Sequence, residues 1–274
     1  MTKELTDRAL MDALTDLASQ AAKAIMRVRE AGSAVRAKGD SSPVTDADEA
    51  AEAIILDGLA RVLPGVAVVS EEAASRSALP QLSDCFILVD PLDGTREFIA
   101  GRDEFTVNIA IVHNGRPLSG VVGAPALGAI WRGAAGMGAE RLTLQPGAVS
   151  REAANRAGLR THPHQNGPWR AMVSRSHPDP EIGQWLSRFP HLERMDCGSS
   201  VKFCRIAEGR ADVYPRLGPT SEWDIAAGDA VLTAAGGIVV SLEGTPVLYG
   251  QTARGLKVPC FIAWGHPVDA SRFG

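Results

Sequence analysis

Tyrosine occurs only twice in 274 residues, and aromatics together make up 5% of the chain. So few rings offer little for unpaired bases to stack on, and no lysine-rich run accompanies them, so a nucleic-acid polymer is not an expected partner. Cysteine is equally sparse. Cys85, Cys197, Cys204 and Cys260 form no Cys-x-x-Cys pair, and Cys85 lies in an apolar run expected to be buried, which argues for free thiols in a reducing compartment. No apolar stretch approaches the roughly 20 residues that a membrane-spanning helix needs. The opening Met-Thr-Lys-Glu-Leu-Thr-Asp is too charged for a secretory signal. A cytoplasmic protein is expected, with peripheral attachment to the inner membrane left open. The chain also lacks a Walker Gly-Lys-Thr, a His-Glu-x-x-His helix and a Gly-x-Ser-x-Gly elbow. Its glycine-rich run, Gly133-Ala-Ala-Gly136-Met-Gly138, misses the Gly-x-Gly-x-x-Gly spacing of a dinucleotide site.

What is present suits a sizeable globular core, since 45% of the residues are hydrophobic. Leu5, Ala9, Leu10, Ala13, Leu14, Leu17, Ala18, Ala21, Ala22 and Ile25 recur at helical spacing and predict one long helix over 5–30. Thr45 with Asp48 three residues on reads as a capping box opening a helix that runs to Leu63, which Pro64-Gly65 ends. Strands are predicted at 66–70 and 85–90. A hairpin follows, Phe105 to His113 and Leu118 to Val122, turning at Asn114-Gly115, with another strand at Ala129 to Arg132. Residues 145–168 carry no periodicity, so we divide the chain into an N-terminal α+β half, 1–148, and a C-terminal α/β half, 149–274. Beyond the division, strands near 170–174, 191–196, 211–214 and 237–241 alternate with helices at 179–188, 199–208 and 223–235. The net charge of −4 is uneven: Arg151 to Arg216 holds eleven Lys or Arg against seven Asp or Glu, so the rest is strongly acidic. Such a chain has one region suited to cations and another to phosphates.

The acidic groups cluster where strands end. Cys85-Phe-Ile-Leu-Val runs into Asp90-Pro-Leu-Asp93-Gly94, Val66-Ala-Val-Val69 leads to Glu71-Glu72, and Asp224 opens a predicted helix. Strand ends converge on common loops, and carboxylates gathered there bind hard, oxygen-seeking ions such as Mg²⁺. Two such ions about 3.5–4 Å apart would activate a water and stabilise a leaving oxygen in phosphate-ester hydrolysis. Asp90 is the candidate bridge. Glu71 completes one ion's shell, Asp93 and Asp224 the other's, and the Leu92 carbonyl adds a neutral oxygen. Gly94 and Thr95 begin a short predicted helix whose N–H groups face phosphate oxygens, and the Thr95 hydroxyl is placed to orient the attacking water.

These residues carry a family resemblance. Lys38-x-Asp40, Ser42-Pro-Val-Thr-x-Ala-Asp48, Ser70-Glu-Glu72, Asp90-Pro-Leu-Asp-Gly-Thr95 and Trp223-Asp224-Ile-Ala-Ala-Gly228 resemble, in order and across nearly the whole chain, the inositol monophosphatase superfamily. The resemblance implies a layered αβαβα sandwich of the inositol monophosphatase and fructose-1,6-bisphosphatase type and two or three Mg²⁺ ions. The implied ion ligands are Glu71, Asp90, the Leu92 carbonyl, Asp93 and Asp224. It also implies lithium sensitivity, and it assigns Asp48 and Thr95, beside Glu71, to catalysis by water activation. Ser70 departs from the glycine common before the paired glutamates.

Arg96-Glu-Phe98, Phe105-Thr-Val-Asn-Ile-Ala110, Gly198-Ser-Ser-Val-Lys-Phe-Cys204 and Tyr214-Pro-Arg-Leu-Gly-Pro219 further resemble the CysQ-type 3′(2′),5′-bisphosphate nucleotidases of sulfur metabolism. These convert 3′-phosphoadenosine 5′-phosphate to AMP. Arg216 stands where inositol-specific members carry a glutamate, and a fixed cation suits a second phosphate better than a polyol. Ser199 and Ser200 are expected on the sugar side. Substrate is thus expected to meet Glu71, Leu92, Asp93, Gly94, Thr95, Ser199, Ser200, Arg216 and Asp224. Lys202 reads as a solvated helix-surface group, Arg175 as a strand-end cation and His177 as structural or rim-lining. The runner-up activities are inositol monophosphatase and fructose-1,6-bisphosphatase. A non-catalytic phosphonucleotide-binding protein would need a broken metal shell, and every ligand is intact. The expected partner is a small phosphorylated substrate, with a homodimer left open.

Overall fold

The computed structural model describes residues 4–32, 35–37, 43–176 and 179–273. Lys38, Asp40, Ser42 and His177 lie outside them. A short 3₁₀ turn precedes α1 (Arg8–Ala31). The single helix expected from residue 5 is interrupted because the Asp7 backbone is extended there and its carboxylate caps α1, accepting from Leu10 N at 2.7 Å. Strands β1 (Val35–Ala37) and β2 (Pro43–Thr45) pair antiparallel and lead into α2 (Asp46–Val62), where the predicted capping box forms.

A seven-stranded sheet follows. It contains β3 (Ala67–Ser70), β4 (Cys85–Asp93), β5 (Thr106–His113), β6 (Arg116–Ala124), β7 (Ala129–Ala134), β8 (Gly138–Thr143) and β9 (Asn155–Leu159) in sequence order. Only β3 and β4 run parallel. Two short helices, α3 (Glu71–Arg76) and α4 (Thr95–Ile99), follow β3 and β4. β9 lies beyond residue 148 and belongs to the first sheet, which ends at Leu159. The glycine-rich run is the β7–β8 hairpin turn.

The second sheet has the order β11 (Leu192–Cys197), β10 (Trp169–Ser174), β12 (Val213–Arg216), β16 (Phe261–Trp264), β14 (Ile238–Val240). Its helices are α5 (Pro180–Leu186), α6 (Val201–Ala207), α7 (Glu222–Ala234) and α8 (Pro267–Phe273), and a minor pair joins β13 (Thr220–Ser221) to β15 (Lys257–Val258).

Strand alternation builds the layers. Ile87, Val89, Ile109 and Ile111 pack with Leu14, Ala18, Ile55 and Leu59 of α1 and α2. Phe86, Leu88, Ala110 and Val112 face the opposite way and join Val201, Phe203, Ala227 and Val231 of α6 and α7. That helical layer also meets Met172, Tyr214, Phe261 and Ala263 of the second sheet. The second sheet's outer face, with Trp169, Val213, Ile262 and Trp264, is covered by Trp185 of α5 and Phe273 of α8, beside Phe189. The result is the expected αβαβα sandwich. Helix α7 lies close against the first sheet: a Cβ on Gly120 would sit 2.6 Å from the Ala227 carbonyl oxygen.

Candidate active site

Asp90 and Asp93 are three residues apart, so in a regular strand they would point to opposite faces. They do not. Asp90 pairs with Asn108, yet Asp93 pairs with Thr106, so β4 advances three residues while β5 moves two. The bulge restores parity, and Pro91, which has no N–H for the ladder, occupies it. Asp90 thereby continues the face of Phe86 and Leu88, toward α7. Its side chain is buried, and Oδ1 accepts from Leu92 N at 3.0 Å. The Leu92 side chain is buried in the α1/α2 core, which leaves its backbone for the site.

Glu71 is the first residue of α3 and Asp224 the third of α7, so two separate helix starts aim carboxylates at the bulge. One oxygen each from Glu71, Asp90 and Asp224 lies within 4.8 Å of the others. Asp224 Oδ2 accepts from Thr220 Oγ1 at 2.5 Å and Ser221 N at 2.9 Å. Asp93 is held from across the molecule: Ser200 N donates to its Oδ2 at 2.5 Å and Thr106 Oγ1 at 3.4 Å.

The crowding raises carboxyl pKa values. Burial, then Glu71, Asp93, Asp224 and Asp48, pushes Asp90 well above the usual carboxylate range. Burial and Asp224 bring Asp93 to about 7, against the pull of Lys202 and the Ser200 N–H. Burial and Glu71 bring Asp224 to about 6, opposed by Thr220, Ser221 and Lys257. Carboxylates this close disfavour one another's charge until a cation joins them. The donor set is entirely hard oxygen, the chemistry that fits Mg²⁺.

Gly94 adopts φ +88, a left-handed conformation that starts α4 at Thr95. Thr95 Oγ1 lies 3.3 Å from Asp48 Oδ1 and 3.1 Å from the Leu92 carbonyl. Asp48 Oδ2 is fixed by Thr45 N at 2.8 Å and Thr45 Oγ1 at 2.7 Å. The capping box of α2 therefore also orients the carboxylate behind Thr95.

Glu71, Asp90, Leu92, Asp93, Gly94, Thr95 and Asp224 open on one cleft of about 380 Å³, which Ser199, Ser200 and Arg216 also line. Asp48 reaches it only through Thr95. Ser200 is less exposed to a sugar than expected: its hydroxyl bonds Asn108 Oδ1 at 2.7 Å and Thr106 Oγ1 at 2.8 Å. Lys202 is buried, not solvated; its ammonium donates to the Ser199 carbonyl at 2.6 Å and sits 5.0 Å from the centre of the Tyr214 ring. Arg175 pairs with Glu104.

Sequence reasoning missed the cleft residues Lys257 and Thr220 and the supports Thr106 and Asn108. Lys257 carried no signal because its two-residue strand has no periodicity. A hydroxyl four residues before Asp224 could have flagged Thr220 as a carboxylate donor.

A cleft with a carboxylate floor and cationic walls, set between two stacked sheets, defines a site for a cation together with a phosphorylated small molecule. The chain belongs to the inositol monophosphatase family, whose model matches residues 7–259. It is 40% identical over 242 residues to the 3′(2′),5′-bisphosphate nucleotidase CysQ of Escherichia coli (strain K12), covering 88% of this chain and 94% of that one. The crystal structure of CysQ from Bacteroides thetaiotaomicron superposes with a TM-score of 0.76 at 33% identity, covering 93% of this chain and 96% of that chain. The inositol monophosphatase from Anabaena (Nostoc) sp. PCC 7120 gives a TM-score of 0.72 at 25% identity over 97% and 94%.

Proposed function

We propose that this chain is a Mg²⁺-dependent 3′(2′),5′-bisphosphate nucleotidase that hydrolyses the 3′-phosphate of 3′-phosphoadenosine 5′-phosphate to AMP and phosphate. The observation that carries the reading is the pairing, in one cleft, of the Glu71–Asp90–Asp224 cluster with the cations Lys202, Arg216 and Lys257. A substrate with two phosphates matches both: one on the floor, the other on the walls. The 40% identity to CysQ supports the same choice. The free thiols of Cys85, Cys197, Cys204 and Cys260 accord with the reducing cytoplasm in which we place it.

Glu71, Asp90, the Leu92 carbonyl, Asp93 and Asp224 would hold Mg²⁺, which when bound supplies the positive charge that lowers a water's pKa and steadies the departing oxygen. Thr95 shares its hydroxyl proton with Asp48 Oδ1 and the Leu92 carbonyl, so its oxygen lone pairs are available to accept from a water. The water is thereby oriented, and its proton has a path through Thr95 to Asp48. As the water oxygen bonds to phosphorus, the bond from phosphorus to the ribose 3′-oxygen breaks; that oxygen takes a proton from solvent to become the hydroxyl of AMP, and the proton received by Asp48 is returned to solvent.

The test is phosphate release with Mg²⁺ from 3′-phosphoadenosine 5′-phosphate, inositol 1-phosphate and fructose 1,6-bisphosphate, each with and without Li⁺. The nucleotide should be used with the highest kcat/KM. A preference for inositol 1-phosphate would overturn the substrate assignment.

A further inference from the structure

Four cations line the cleft. Arg96 is exposed on α4 beside Thr95, on the side of the reacting phosphate, and the other three differ in the donors they have left. Lys202 is buried, with its ammonium directed to the carbonyls of Ser199 at 2.6 Å and Cys197 at 3.4 Å. Arg216 has turned Nε to the Gly218 carbonyl and Nη2 to the Pro219 carbonyl, both at 3.2 Å. Its guanidinium therefore braces the turn between β12 and β13. Lys257 is exposed, and the described residues give its ammonium one hydrogen bond, to Ser221 Oγ at 2.7 Å. A lysine has three donors, so two remain for a ligand.

The position of Lys257 is fixed at its base. Strand β15 pairs with β13 in a register that sets Lys257 opposite Ser221, and the ammonium lies 5.9 Å from the centre of the Trp223 ring. Its reach is thus confined to the α7 side of the cleft, beside the 216–221 turn that Arg216 braces. We propose that Lys257 is a specificity-determining residue: its ammonium donates to the second, non-reacting phosphate of the substrate, with Arg216 adding charge from the other side of the turn. The inference rests on the nucleotidase reading and extends it by naming the group that distinguishes a bisphosphate from a monophosphate.

The experiment compares wild type with Lys257→Met, which keeps the stem and removes the charge, and with Lys257→Arg, on 3′-phosphoadenosine 5′-phosphate and adenosine 3′-monophosphate. The reacting phosphate is the same in both. A hydrogen bond to a charged group at a partly exposed site predicts a roughly tenfold loss of kcat/KM on the bisphosphate. The loss should fall on KM and be several-fold larger on the bisphosphate than on the monophosphate, with recovery in Lys257→Arg. Equal losses on both substrates, or none on the bisphosphate, would overturn the proposal. Calorimetric binding of 5′-AMP and of adenosine to the same proteins needs no turnover. Lys257→Met should weaken 5′-AMP alone, and unchanged 5′-AMP affinity refutes the contact even where hydrolysis is absent. Absent hydrolysis with a Lys257-dependent 5′-AMP affinity would instead remove the nucleotidase reading, and with it the specificity role, while upholding the Lys257–phosphate contact.

Discussion

Asp93 is the carboxylate on which both halves of the molecule converge, presented by β4 and gripped by the Ser200 N–H at 2.5 Å. Asp93→Asn keeps the shape and removes the charge. Mg²⁺-dependent phosphate release should fall by more than about a hundredfold, while circular dichroism and the melting temperature stay close to wild type. Near-normal turnover would remove Asp93 from the ion shell. Much at this scale was legible in the sequence, because Asp90-Pro-Leu-Asp-Gly-Thr95 is contiguous and its chemistry follows from residue type. Lys202 was not. Hydropathy reads a lysine as solvated, whereas here carbonyl oxygens and the face of Tyr214 compensate its burial.

Helix α7 is the element that decides where Asp224 points, and the segment after β14 fastens it. Glu222 accepts from Gly250 N at 2.6 Å and Gln251 N at 2.9 Å, while Tyr249 donates its hydroxyl to Asp229 Oδ2 at 2.8 Å. Burial raises Asp229 to about 6 from an ordinary 3.8, against the hydrogen bonds from Tyr249 and Thr233. The native state therefore holds a proton that the unfolded chain has already lost, so this group's stabilisation is complete below about pH 4 and is lost as pH rises through about 6. Asp229→Asn cannot lose it. Denaturant unfolding at pH 4 and pH 7.5 should show the variant gaining roughly 2–3 kcal/mol on wild type between the two, and a pH-independent difference would refute the shift. The helices and the Asn114-Gly115 hairpin were legible from periodicity and caps. Strands β8, β9 and β16 were not: β9 is largely exposed and β16 is four buried residues, and neither leaves an alternating pattern.

Across the whole molecule, the proposed ion site joins chain segments from Glu71 to Asp224, so a bound cation should act on global stability. Saturating Mg²⁺ at about a hundred times its dissociation constant contributes about 2.7 kcal/mol, an upward shift of several degrees in melting temperature for a chain of this size. The shift should be larger at pH 7.5 than at pH 5.5, since Asp93 at about 7 and Asp224 at about 6 still hold protons at the lower pH. Asp224→Asn should abolish most of it, and EDTA should reverse it in the wild type. A Mg²⁺ effect indifferent to pH and to Asp224 would show that the ion binds elsewhere. The sequence by itself determined which oxygen donors exist, their order, the capping of α2 and the faces the long helices bury, because those depend on residue type and on neighbours a few positions away. Only the tertiary structure decided that Asp90 and Asp93 share a side, that Ser200 meets Asp93, and that Lys257 stands beside the entrance. The first depends on the register of β4 against β5, the second on a contact between residues 107 apart in the chain, and the third on the pairing of β13 with β15, and such pairings leave no local pattern to read.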